Sequence, residues 1–225
     1  MSGSGTELMS ELLRAPEAVG SWEWFVDTGE NADVFHCLSM LAAVSGILDR
    51  RGLLKVESVE VCWEHPQSRG PDAHRTVPVS GAIDTPECAQ RLLASRPRDA
   101  PDARVKLLRT HGGGAWTDAR GNVRTEADLV LLETMPLFED VSVEAAVHHD
   151  VWAHHAFSGV PHPEVRAANA PRLAAALKEV ESTLHAATNP GEPTYFGAVD
   201  GYGIRAPEPY EIVDGLAPDL TDRLA

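Results

Sequence analysis

Between Val141 and Val151 the chain alternates apolar and polar residues with hardly a break. Val141, Val143, Ala145, Val147 and Val151 fall on one parity, and Ser142, Glu144, His148, Asp150 and Trp152 on the other. Successive side chains of a strand point to opposite faces of a sheet, so this pattern requires one buried face and leaves the second to water or a partner. A parallel sheet covered on both sides has no use for such a polar parity. The pattern therefore predicts a strand from Val141 to Trp152 in a largely antiparallel sheet. Leu129, Val130, Leu131 and Leu132 are apolar on both parities, as in a strand near the middle of that sheet.

Other segments fit the same plan. Trp22, Trp24 and Val26 alternate with Glu23 and Phe25 before the turn residues Asp27, Thr28 and Gly29. The stretch Leu53 to Trp63 also reads as a strand, but its apolar parity switches near Glu57 and Ser58, which predicts a bulge. Arg104 to Thr110, Ala115 to Asp118, Val123 to Thr125 and Asp128 to Met135 complete the strands, with a hairpin turn at Ala119 to Asn122. Glu64 to Ile83, rich in Pro, Gly, Arg and Ser, reads as a surface loop.

Helices carry their own punctuation. Asp33 is placed to cap a helix ending near Gly52, and Thr85-Pro86 to open a short one through Leu93. Asn169, with Pro171 in the first turn, predicts a helix to His185 in which Leu173, Leu177, Val180 and Leu184 recur at helical steps. Thr6 marks a short helix through Arg14, after a flexible Ser-Gly-Ser-Gly start. From Asn189 onward, prolines and glycines predict an extended tail anchored by Tyr195, Phe196 and Tyr202. The expected architecture is a single α+β domain: a mostly antiparallel sheet of about five to seven strands, two long helices packed on one face, and an extended Pro/Gly-rich tail. Its divisions are an N-terminal segment 1–20, a core 21–188 and the tail 189–225.

Charge narrows the function classes. The 225 residues carry 34 acids against 19 bases, a net charge of −15, which opposes gripping nucleic-acid phosphates or anionic lipid. Residues 1–50 hold eight acids and two bases, and residues 126–225 hold seventeen acids and five bases. The middle, with nine acids and twelve bases, is slightly positive. If the two ends fold together, one face of the molecule is strongly negative. Cys37, Cys62 and Cys88 are too few and too scattered for a disulfide framework or a zinc knuckle, and each sits in an apolar stretch as a small core residue. With no basic-then-apolar start and no run of the roughly 20 apolar residues a membrane helix needs, the expected compartment is the cytoplasm.

Fragments of catalytic motifs occur without their partners. His111-Gly112-Gly113-Gly114 resembles the oxyanion-hole segment of esterases, but no Gly-x-Ser-x-Gly elbow follows, and the glycines read as a turn or bulge. His74-Arg75-Thr76 matches half of a paired His-x-Thr arrangement. His162-Pro163-Glu164 resembles the His-x-Glu of zinc deaminases without their Pro-Cys-x-x-Cys. Val26-Asp27-Thr28-Gly29 lacks the further glycines of a nucleotide-binding loop.

Two constellations remain. Glu144, Asp150 and Trp152 share the non-core parity, with Glu139 and Asp140 just before them, so an acidic and aromatic strip is expected to bind a basic protein partner. In size, acidity and lack of a catalytic signature the chain resembles immunity proteins, which neutralise a toxin or nuclease. The alternative is a metal-dependent hydrolase or small-molecule tailoring enzyme built on His148, Asp150, His154 and His155, with a metal ion as its cofactor. A third reading is a scaffold without ligand, in which the same strand lies at a sheet edge and pairs with its copy in a homodimer.

Overall fold

Trp22 and Trp24 form the seam of the molecule. Both are fully buried on strand β1 (Gly20–Asp27), and their indole N–H groups donate to the Gly201 carbonyl (2.8 Å) and the Thr188 hydroxyl (2.9 Å). The sheet thereby ties the chain's start to its end. The computed structural model describes residues 12–29, 31–65 and 71–224; the helix expected from Thr6 lies almost wholly outside them.

After β1 comes α1 (Val34–Arg50), which starts as expected: the Asp33 carboxylate accepts from the backbone N–H of Phe35 and His36. β2 (Lys55–Glu64) carries the expected irregularity, a register shift between Val56 and Ser58. Next are β3 (Ala73–Pro78), α2 (Pro86–Ala94), β4 (Arg104–Thr117), β5 (Val123–Ala127), β6 (Leu131–Pro136) and β7 (Asp140–Val147). α3 (Pro163–Leu184) leads to the two-residue β8 (Asn189–Pro190), and a small hairpin, β9 (Val199–Asp200) and β10 (Gly203–Ile204), lies in the tail. The main sheet is antiparallel in the order β3-β2-β4-β6-β7-β1-β8, with β5 pairing the far end of β4. α1 and α3 cover one of its faces, and the core lies between: Leu38, Leu41, Leu48, Leu173, Leu177 and Val180 from the helices meet Trp22, Trp24, Val61, Leu108, Val143 and Ala145 from the strands. The fold is α+β, as expected, and no helix among the described residues is long and apolar enough to cross a membrane.

The local expectations fail at five places, each for a physical reason. β3 lies inside the segment read as a loop; it is an edge strand whose residues are mostly exposed, so no apolar alternation marks it. The four residues from His111 to Gly114 do not interrupt a strand, because β4 runs unbroken through them. A Cβ on Gly112 would meet the Lys55 carbonyl oxygen, and one on Gly114 the Leu53 carbonyl oxygen, so these glycines allow a close backbone approach. The strand read as Asp128–Met135 begins only at Leu131, because Asp128 takes a left-handed turn (φ 49°) between β5 and β6.

α3 starts at Pro163 and not at Asn169. Asn169 is buried in mid-helix, where its side-chain oxygen accepts from the Thr117 N–H (2.9 Å) and its amide donates to the carbonyls of Thr117 (2.8 Å) and Val165 (2.7 Å). The residue read as a cap instead bolts α3 to the end of β4. Finally, β7 ends at Val147, and Asp150–Trp152 forms a single 3-10 turn beneath α3. β7 also lies between β6 and β1, so it offers no free edge for a homodimer.

Candidate functional site: the open face of the sheet

The face of the sheet away from α1 and α3 carries the polar parity of every strand. Cross-strand register turns that parity into a row. Thr76, Glu60, Arg109, Glu133, Glu144, Glu23 and Asn189 are successive Cα partners from β3 to β8, so four carboxylates and one guanidinium stand in line across the molecule. On one side of this line Phe25, Ser142 and Met135 form a parallel row, and on the other Ser21, Ala146 and Leu131.

The two ends of the line differ. Toward β3 every charge has a partner. Glu60 holds His74 Nδ1 at 2.5 Å and His111 Nε2 at 2.9 Å, and His111 Nδ1 lies 3.1 Å from Asp128, whose other oxygen accepts from the Gly112 N–H. An imidazole held by a carboxylate at each nitrogen donates to both only when protonated. Burial works against that charge on His111, but the hydrogen bonds to Glu60 and Asp128 outweigh it and raise its proton affinity. The Cys62 thiol lies 3.9 Å from His74 Nε2, giving the outline of a Cys-His-Glu relay. Burial, aided by Asp72, pushes that thiol up to about 11, so it is no nucleophile at neutral pH.

Toward β1 the line is short of cations. Arg109 donates to Glu133 through Nε (2.6 Å), and Glu23 accepts from the Ser142 hydroxyl (2.7 Å). Burial pushes the Glu144 carboxyl up; a hydrogen bond from Ser21 opposes this, and the flanking Glu133 and Glu23 carboxylates reinforce it. Above this region the chain before β1 arches over the sheet, held by hydrogen bonds from Ala15 N–H to the His148 carbonyl and from Val19 N–H to the Val147 carbonyl (both 2.8 Å). Beneath the arch is a recess of about 510 Å³ lined by Arg14, Glu17, Arg109, Glu133, Glu144 and His148. Burial lowers the proton affinity of His148, whose Nδ1 faces the Ala15 carbonyl at 3.1 Å.

At the end of the sheet near the β6–β7 turn, apolar side chains reach into solvent: Phe25 is 46% exposed, Met135 36% and Phe138 76%. Glu139 is exposed beside them, and Asp140 pairs with Asp27 in register. Acidic and aromatic groups thus share one surface.

The residues singled out from sequence are divided by this geometry. Glu139, Asp140 and Glu144 belong to the open sheet and the turn at its end. Asp150 and Trp152 do not join them: Trp152 is buried to 1% exposure, and Asp150 accepts from the Phe157 N–H at 2.8 Å. The 3-10 turn ends the strand's alternation and turns both inward. The histidines also part company, His148 lining the recess on the sheet and His154 and His155 a separate cavity with Asp150. Among the described residues no group of three or more His, Cys, Asp or Glu side chains is arranged to hold a metal ion. Sequence reading missed Glu23, Glu60, Arg109, Glu133 and the aromatic pair Phe25 and Phe138. Their alternation was visible, but their alignment depends on register across strands distant in sequence. No protein-family model, curated protein or solved structure matches the chain.

Proposed function

We propose that the chain is a protein-binding domain that docks a basic partner on the open face of its sheet, as a cytoplasmic inhibitor of the immunity type facing a basic toxin or nuclease. The observation that carries this reading is the cation-poor end of the cross-sheet row, Glu133, Glu144 and Glu23, bordered by exposed Phe25, Met135 and Phe138. A protein that grips phosphate is positive where it does so, and an acidic face speeds its capture while aromatic anchors slow its release. The net charge of −15 adds long-range attraction. In this reading Phe138 and Phe25 take the anchoring part that sequence reading gave to Trp152.

Titration of the isotope-labelled protein with octa-arginine, followed by NMR, tests the docking face. Saturable shifts centred on Glu23, Phe25, Glu133 and Met135 are expected, fading as salt shortens the screening length to a few ångström. Glu23→Lys combined with Glu139→Lys is expected to weaken binding at least about tenfold, the effect of roughly 1.4 kcal/mol. Shifts spread over all acidic surfaces, or an affinity unchanged by the double charge reversal, overturn the reading.

A further inference from the structure

A second cavity, of about 400 Å³, lies away from the open sheet, between the loop that precedes α3 and the C-terminal tail. Its volume falls within the range of small-molecule sites. The tail is fastened across it: Leu220 N–H donates to the Phe157 carbonyl (2.7 Å), Ala217 N–H to the Gly159 carbonyl (2.9 Å), and the Arg223 guanidinium stacks 3.9 Å from the centre of the Tyr195 ring. Gly159, in the left-handed region at φ 79°, leaves no room for a Cβ against the Ala217 carbonyl, so the tail sits directly on the loop's backbone. A tail held at this many points makes a wall.

The lining has an apolar part and a polar part. Phe157 and Phe196 meet edge to face (5.8 Å, 81°), and with Ile204 they are almost wholly buried. Around them stand Asp150, His154 and His155 from the loop and Arg205 and Glu211 from the tail. The two carboxylates have internal uses: Asp150 accepts from the Phe157 N–H and Glu211 from the Glu208 N–H. The cationic group is less occupied: among the described residues the Arg205 guanidinium makes no ion pair.

We propose that this cavity is a binding site for a small aromatic carboxylic acid, its ring against Phe157 and Phe196 and its carboxylate on Arg205. Arg is suited to the carboxylate because its planar donors match both oxygens. The molecule's overall negative charge opposes an anion only weakly, since charges farther away than about 8 Å are largely screened at physiological salt, and Arg205 lines the cavity. The site is independent of the sheet face, and a ligand here does not require a protein partner there.

Three probes, 1-naphthoate, indole-3-acetate and 4-hydroxybenzoate, test the class by calorimetry and NMR, with 1-naphthalenemethanol as the uncharged counterpart of the first. At least one acid is expected to bind saturably at one per chain, shifting the resonances of Phe157, Phe196 and His155. Arg205→Gln is expected to weaken that acid about tenfold, as loss of a charge-assisted pair does, and to leave the alcohol's affinity unchanged. Arg205 is exposed and its side chain makes no internal hydrogen bond or ion pair among the described residues, so the variant keeps the fold. Absence of saturable binding by all three acids, or equal affinity in wild type and Arg205→Gln, overturns the proposal.

Discussion

Glu144 stands in unbalanced surroundings, half-buried among other carboxylates. It stands between Glu133 and Glu23 on neighbouring strands, with the Arg109 guanidinium already bonded to Glu133. Its carboxyl holds a proton more tightly in the folded chain than in the unfolded one. The folded state is therefore favoured below the ordinary glutamate value of about 4.3, and that advantage disappears as pH rises through the elevated folded value; above it the ionised group weighs against folding. Glu144→Gln removes the ionisation and keeps the shape. It is expected to melt at a higher temperature than wild type at pH 8, with the gap closing by pH 4, as read by circular dichroism. An equal effect at both pH values contradicts the account in which burial, reinforced by the neighbouring carboxylates, penalises the ionised group. At this scale the sequence pointed to Glu144 through its parity, while its like-charged neighbours emerged only from register.

At the scale of elements, the sheet is joined to its helices by few polar bolts. Asn169 is one, closing two hydrogen bonds between α3 and β4 and a third within α3, in a dry position. Arg172 is another, its guanidinium donating to the Arg51 carbonyl (2.8 Å) after α1 and to the Ala115 carbonyl (3.0 Å) of β4. Asn169→Ala strands the Thr117 backbone groups and is expected to cost about 2–3 kcal/mol, a drop of roughly 5–10 °C in melting temperature for a chain of this size. The same residue shows why part of the fold was readable and part was not. Caps at Asp33 and Thr85, the bulge near Ser58 and the alternation of β1 and of β7 as far as Val147 are local, and each lies where sequence alone placed it. An asparagine near a proline looks the same whether it caps a helix or bonds a strand fifty residues away. The glycines from Gly112 to Gly114 are ambiguous in the same manner, since close approach by Lys55 and Leu53 is a tertiary fact. β3 escaped notice because an exposed edge strand needs little apolar patterning.

The whole molecule divides its duties between two faces. One side of the sheet, under α1 and α3, holds the core; the other collects charge. Repulsion among carboxylates at a net charge of −15 opposes the compact state, and added salt relieves it. Melting temperature is expected to rise by a few degrees between 10 and 300 mM sodium chloride, and to rise less in Glu23→Gln combined with Glu139→Gln, as measured by calorimetry. A fall with salt instead means that the ion pairs Arg109–Glu133, Arg50–Glu179 and Lys106–Asp72 outweigh the repulsion.

The one-sided sheet also has a bearing on how such a chain diverges. Side chains on the uncovered side hang from backbone positions set by strand register and by packing on the opposite side, so many of them are free to change without disturbing what keeps the protein folded. Selection on that surface can then act on rows of neighbouring positions almost independently of selection for thermal endurance. A saturation library scored for abundance is expected to show high tolerance at Glu23, Phe25 and Met135 and low tolerance at Trp22, Trp24 and Val143, two opposite histories written on alternate residues of the same strands.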